Sequence, residues 1–345
     1  MSNGSPPLRG TMVPLSHFPR WDQRIVGFPQ KSIFHETAWL RYLEKEQGGQ
    51  AVVLRIVDAK GRERALWPGL TVRKGPIRIF GSPLRGWGTV SMGPLYHEGD
   101  ADRLMGAAER ALAQGGVHHW EFVSQTLGHP PPGLGYRFEF SDTHRIPLGP
   151  DDDAMWHRLE QRCRTAVRKA WKCGLSSRLA VDGGFLDPLY ELVAATFGRK
   201  RTTPPYDGAR LKRLWDTLFP LGKAFGVEIL HGSTLASAAV FISDGTDVYA
   251  WSQASAPPFN AMCPNNLLYW EAMRHSSRLN ASYLHLPGAP GSSIGRFKES
   301  FNPEIFRFPF WIRDRSAVLR WGRRLYFEWQ SGLARWRYHS SRAAK

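Results

Sequence analysis

The chain has 345 residues, 42% of them apolar and 22% charged, an ordinary globular composition with length enough for two cores. No apolar run approaches the roughly 18 residues that cross a bilayer, and the opening MSNGSPPLRG lacks the apolar stretch of a secretory signal, so a cytoplasmic protein is expected. Three cysteines, Cys163, Cys173 and Cys263, with no C-x-x-C pair, argue against a disulfide framework or a zinc site. The charge balance is the unusual feature: 46 Lys and Arg against 30 Asp and Glu, a net +16. It favours anionic partners such as nucleic acid, lipid headgroups or phosphorylated substrates.

Residues 1–20 carry Pro, Gly and Ser without periodicity and read as a flexible lead-in. SIFHETAWLRYLEKEQGG predicts a helix capped by Ser32 or Thr37, burying Trp39, Leu40 and Leu43 and stopped at Gly48-Gly49. AVVLRIVDAKGRERALWPG predicts two strands around a turn at Asp58–Gly61, IRIFG a third, and the Gly-rich LRGWGTVSMGPL the closing stretch of a sheet. A helix over 101–114 ends at Gly115-Gly116, VHHWEFV follows as a strand, PPPG at 130–133 marks a loop, and YRFEFSDTHRIPLG reads as a strand pair.

The second half repeats this logic. DDDAMWHRLEQRCRTAVRKAWKCG places Met155, Leu159, Cys163, Ala166, Val167 and Ala170 at helical spacing, with acidic residues at its start and Gly174 at its end. Two more helices precede three strands over 224–252, with turns at Gly232-Ser233 and Asp244-Gly245. PNNLLYWEAMRHSSRL is a helix with proline at its mouth, and ASYLHLPG the next strand. ALAQGGVHHWEFV and AMRHSSRLNASYLHL both read helix, break, strand, which points to a duplicated α/β unit. The expected division is an N-terminal domain over 21–149, a C-terminal domain over 150–312, and a basic tail over 313–345.

Four stretches resemble the FemAB-like, or peptidoglycan-bridge, branch of the GNAT acyltransferases: the opening helix SIFHETAWLRYLE; RCRTAVRKAWKCG over 162–174; PNNLLYWEAMRHSS over 264–277; and IGRFKESFNPE over 294–304. The resemblance covers roughly residues 30–312 in order. It implies an α/β (α+β) fold of two tandem GNAT-type domains, each a central mixed, largely antiparallel sheet flanked by helices. It also implies acyl or aminoacyl transfer to an amine or hydroxyl of a cell-envelope or exopolysaccharide precursor. The resemblance further implies an acyl-CoA or an aminoacyl-tRNA as donor, no tightly bound cofactor, and a glycan, lipid-linked or peptide acceptor. Two features depart from the family. QASAPPFNAMCPNN lacks the glycines of the pyrophosphate loop that many GNAT enzymes place at a helix N-terminus, and no coiled-coil arm is present.

Acyl transfer needs the nucleophile held against the acyl carbon, an oxyanion stabilised and a proton removed. In the Gly- and Ser-rich loop 288–300, Lys298 is the candidate catalytic cation, with Arg296 presenting charge and Phe297 and Phe301 fixing the loop. No Walker lysine occurs there, which argues against an NTPase. Arg164, Arg168 and Lys172 fall on one helical stripe with Lys169 beside it, a candidate phosphate or tRNA-backbone contact that equally fits a solvated face. Tyr249, Trp251 and Gln253 alternate on one strand and are expected to share a face lining the acceptor pocket, with Tyr249 relaying a proton. Asn265 and Asn266 stand at a helix mouth, one fit to cap it and the other to bind substrate. Glu271, Glu228 and Glu299 are candidate bases, and Glu271 is placed in the site. In the tail, Val318, Trp321, Leu325 and Trp329 line one side of a helix against Arg320, Arg323 and Arg324, which suits the anionic inner face of the plasma membrane as well as a docking helix. A non-catalytic membrane-associated scaffold and an RNA-binding module remain the alternatives to an enzyme.

Overall fold

The computed structural model describes residues 7–97, 101–124, 126–127, 135–287 and 293–323. β1 (Arg9–Pro14) and the short α1 (Trp21–Ile25) lead to α2 (Thr37–Gln47), which buries Trp39, Leu40, Tyr42 and Leu43. Gly48 closes α2 at φ 59°, a left-handed turn that glycine adopts without Cβ strain. Then come β2 (Gln50–Val57), β3 (Glu63–Lys74), β4 (Ile77–Ser82), β5 (Leu95–Tyr96), α3 (Ala101–Gln114), β6 (His119–Val123) and β7 (Arg137–Pro147). α4 (Asp152–Arg158), α5 (Gln161–Lys172), β8 (Leu175–Leu179), α6 (Leu186–Arg199) and α7 (Gly208–Leu218) follow. The chain continues through β9 (Ala224–His231), β10 (Thr234–Ser243), β11 (Asp247–Ser255), α8 (Pro264–Arg278), β12 (Tyr283–Pro287), α9 (Ser293–Glu299) and β13 (Glu304–Asp314).

The described residues fall into two compact units, one of residues up to 141 together with 307–323, the other of residues 142–306. Each has the same sheet plan. In the first, β1, β2, β3 and β4 pair antiparallel in sequence, β4 pairs parallel with β6 across the α3 crossover, and β13 closes antiparallel on β6. In the second, β8, β9, β10 and β11 pair antiparallel, β11 pairs parallel with β12 across α8, and β7 closes antiparallel on β12. The duplication expected from the helix-break-strand pattern is therefore present as two mixed, largely antiparallel sets of strands flanked by helices. Residues 307–312, expected in the C-terminal domain, belong to the first unit because β13 pairs with β6 from Phe310 to Asp314.

Each unit has its own apolar core. Trp67, Phe80, Trp120, Phe122 and Trp311 are buried against Leu104, Ala108 and Leu112 of α3 in the first. In the second, α5 and α8 bury Cys163, Val167, Leu267, Leu268 and Trp270 on the sheet face that carries Val227, Ala239, Phe241, Val248 and Leu284. α6 packs on β10 and β11 and carries the opposite face, where Gly226 lies so close to the Phe185 ring that a Cβ would come within 2.5 Å of it.

Several expectations change. The lead-in is partly a strand: β1 pairs with β2 from Arg9↔Val57 to Pro14↔Val52, at the sheet edge where proline is tolerated. The single helix expected within 151–174 breaks into α4 and α5, because Leu159 and Glu160 are extended. The freed groups are satisfied there: Glu160 N donates to Ser300 O at 3.0 Å, and the Arg164 guanidinium donates to the carbonyls of His157 and Leu159. The strand pair expected over 136–149 is one long strand, β7. Residues 293–299 of the expected loop form α9. Of the tail, residues 317–323 are helical and 324–345 lie outside the described residues. Among the described residues no helix is long and apolar enough to cross a membrane.

Candidate functional site

β11 carries the main geometric feature. It pairs with β12 only at Asp247↔Tyr283, Val248↔Leu284 and Tyr249↔His285, while it runs on to Ser255. Among the described residues no strand pairs with Ala250–Ser255 on that side, although β10 pairs with it on the other. A strand edge with open N–H and C=O groups is prepared to pair with an extended amide-bearing chain. The corresponding parallel pair of the first unit is different, since β4 pairs with β6 through its last residue, Ser82↔Phe122.

β11 also contains a bulge. Ala250 faces Phe241 and Ser252 faces Val240, so Trp251 is the extra residue. The alternation is thereby reset. Tyr249 and Ser252 point to the α6 face and Gln253 to the α8 face, so the expectation that Tyr249, Trp251 and Gln253 share one face is corrected. Trp251 is half-buried beside the Tyr206 ring, 4.8 Å between centroids, and Tyr206 Oη lies 2.7 Å from Ser252 Oγ. Tyr249 is fully buried and stacked on His285, with ring centroids 4.5 Å apart. Burial, reinforced by Asp247 and Asp244, holds its phenol well above 10, so it stays protonated at neutral pH and serves as a hydrogen-bond donor rather than a base.

On the α8 face, Asn265 ties the helix mouth to the strands. Its Oδ1 accepts from Gln253 Nε2 at 2.7 Å and from Ser237 Oγ at 2.9 Å, and its Nδ2 donates to Ser255 Oγ at 3.2 Å. Neither asparagine side chain caps α8, whose N-cap is Cys263 in the left-handed conformation. Asn266 instead donates to Cys163 Sγ of α5 at 3.7 Å. α9 joins the same end of α5. Arg162 Nη2 donates to Arg296 O at 3.0 Å, and Phe297 and Phe301 pack on Tyr269 of α8. Arg296 is exposed, whereas Lys298 is only 7% exposed and its burial lowers the ammonium to about 8.

Other candidates stand apart. Glu271 lies on α8 and pairs with Arg274 at 3.3 Å, which also binds Asp152 at 2.7 Å. This is an ion-pair network among α4 and α8 rather than a free base. Glu228 is locked by both nitrogens of Arg178, at 2.9 and 2.8 Å. On α5, Arg164 is occupied by backbone carbonyls and by Gln161 Oε1 at 2.7 Å. Arg168 lies 5.3 Å over the Trp156 ring, while Lys169 and Lys172 are exposed.

Sequence reasoning missed a buried ionic cluster in the first unit. His119 lies between Asp314, 2.7 Å from Nδ1, and Glu121, 3.1 Å from Nε2. Arg323 donates to Glu121 at 2.5 Å and touches the imidazole, and Arg137 donates to Asp314 at 2.7 Å. The His118-His119 pair was legible, but its partners lie up to 204 residues away in the chain.

Residues 157–299 match the model of the GNAT acetyltransferase domain (Acetyltransf_6). A crystal structure of FemX superposes with a TM-score of 0.67 at 15% identity, covering 84% of this chain and 94% of that one. A conserved protein of unknown function from Bacteroides thetaiotaomicron gives 0.58 at 10% identity, covering 85% and 96%. A tandem GNAT protein from the clavulanic acid biosynthesis pathway gives 0.50 at 12% identity, covering 89% and 99%. At these identities the likeness is one of fold. No curated protein sequence matches the chain.

Proposed function

We propose that this chain, a FemAB-like GNAT protein whose residues 157–299 are the acetyltransferase domain, transfers an acyl or aminoacyl group to an amine or hydroxyl of a cell-envelope or exopolysaccharide precursor, and that the second unit does the chemistry. The observation that carries this reading is the open edge of β11 from Ala250 to Ser255, which the first unit's β4 lacks. The amide-bearing arm of an acyl-CoA, or the backbone of an aminoacyl ester, pairs with such an edge and brings its acyl carbon to the gap between β11 and β12. Gln253 and Asn265 brace the wall of that gap from α8. Lys298 supplies a cation of low hydration to the acyl oxygen as it gains negative charge. Arg168, Lys169, Lys172 and Arg296 receive the donor's phosphates, whether of CoA or of tRNA.

The basic C-terminal residues 313–345 seat the enzyme on an anionic membrane surface, where a lipid-linked acceptor is found. Val318 and Trp321, 79% and 67% exposed, support this, as side chains that find apolar cover at the headgroup level.

The test is thermal stabilisation by acetyl-CoA, longer acyl-CoAs and aminoacyl-tRNA, followed by transfer of label from the stabilising donor to isolated cell-envelope material. Stabilisation and transfer by one donor class are expected, with Lys298→Ala losing about 10²-fold in rate at an unchanged melting temperature. Liposome binding without transfer from any donor would leave a scaffold in place of an enzyme.

A further inference from the structure

The face of the second sheet opposite α8 is apolar under α6 but polar along β7, β12 and the start of β11. Register places Thr143, Arg145, His285, Asp247 and Tyr249 on that one face. Thr143 and His285 are each 2% exposed. Thr143 Oγ1, Arg145 Nε, His285 Nδ1 and, at the bulge, Trp251 Nε1 are buried with no hydrogen-bond partner among the described residues, and His285 Nε2 lies 3.3 Å from Asp247 Oδ1. Buried polar atoms are almost always paired. Several left open on three adjacent strands mark a place kept polar for a group that comes and goes.

The geometry points to His285 as the proton acceptor of the transfer reaction, oriented by Asp247, at the closed end of the gap between β11 and β12. This rests on the transferase reading above. Tyr249↔His285 is the last pair before β11 runs on alone, so His285 is the β12 residue at the closed end of the gap. Its Nε2 lies 3.3 Å from Asp247 Oδ1, which favours the tautomer with the proton on Nε2 and leaves Nδ1 as the base. The stacked Tyr249 ring fixes the imidazole plane. The acceptor's neutral amine attacks the acyl carbon. The C–N bond forms as the thioester C–S or ribosyl ester C–O bond breaks. The N–H proton passes to Nδ1, and the imidazolium returns it to the departing sulfur or oxygen, so the enzyme ends unchanged. A hydroxyl acceptor follows the same course with a C–O bond formed. α9, which carries Lys298, packs on Tyr269 of α8 through Phe297, so cation and base are brought to the acyl centre by elements on opposite faces of the sheet.

The test compares wild type with His285→Phe, which keeps a stacking ring, His285→Gln, and Asp247→Asn. Donors are labelled acetyl-CoA and labelled aminoacyl-tRNA, the acceptor isolated cell-envelope material, and rates are followed across pH. The charged and titratable groups beside the Tyr249–His285 stack are Asp247 and Tyr249 of β11, Asp244 of its turn, Tyr283 of β12 and Arg145 of β7, which binds Glu304 at 2.8 Å. Both His285 variants are expected to lose about 10²–10⁴-fold in kcat while keeping donor-induced stabilisation. Asp247→Asn should lose less, because only orientation is impaired. A His285→Phe enzyme within about threefold of wild type, far short of the loss of a general base, would show that the ring only packs and would overturn the assignment. Should that variant fail to fold, His285→Gln at wild-type rate would overturn it equally. Absence of both stabilisation and transfer in wild type would instead overturn the transferase reading, and the assignment with it.

Discussion

Replacing Asp314 by Asn tests the buried cluster of the first unit. The carboxylate side chain is fully buried and receives His119 and Arg137 at 2.7 Å each. Burial alone would push its pKa up; the hydrogen bond from His119, the charges of His119 and Arg323 and the hydrogen bond from Arg137 override it and bring the group from 3.8 to about 2. A carboxyl lowered that far is held by its neighbours about 2 kcal/mol more tightly as an anion than as an acid. Arg137 is half exposed, so solvent screening brings this nearer about 1–2 kcal/mol. The sign follows from the lowered value: the contribution is complete above pH 3.8 and disappears as pH falls through about 2. Asp314→Asn also leaves Arg137 and Arg323 short of a counter-charge, and a total loss of about 3 kcal/mol is expected at neutral pH. Urea unfolding of both proteins at a series of pH values measures the difference. It should be largest at neutral pH and shrink by about 1–2 kcal/mol towards about pH 2. A difference that stayed constant with pH, or no difference at neutral pH, would refute the account of the cluster.

Asn265→Ala removes the shared acceptor of Gln253 and Ser237, and should cost about 1–3 kcal/mol by urea unfolding and weaken donor stabilisation in the same thermal assay. Glu271→Gln, whose carboxylate serves Arg274, should leave the transfer rate within about twofold, because no charge on the reacting atoms depends on it. Gly69→Ala would bring a Cβ within 2.5 Å of Gly81 O and 2.6 Å of the Phe80 ring, and should lower stability by about 1–3 kcal/mol in thermal unfolding without touching the second unit's site.

Much of the fold was legible because its signals are local. Gly48 and Gly232 take left-handed turns where a glycine ended a helix or turned a hairpin, and the hydrophobic spacing of 264–278 gave α8 almost to the residue. The repeated helix-break-strand pattern announced the duplication. What escaped reading depends on distant partners. Nothing near Trp251 signals a bulge, yet the bulge decides which face Tyr249 and Gln253 occupy. The break at Leu159 and Glu160 sits inside a good helical pattern and is held by Ser300, far along the chain. Likewise His285 reads as an ordinary strand residue until register sets it beside Asp247 and Tyr249.

The way the two sheets are completed bears on how the protein is made. The strand that closes the first unit, β13, is among the last described segments of the chain, while the strand that closes the second, β7, precedes all of that unit's other strands. A ribosome therefore releases a second unit whose strands are all in hand before the first has received its final one. Until residues 310–314 emerge, the N-terminal sheet exposes the β6 edge, a site for wrong pairing. Any truncation placed near residue 306 would leave that edge open for good.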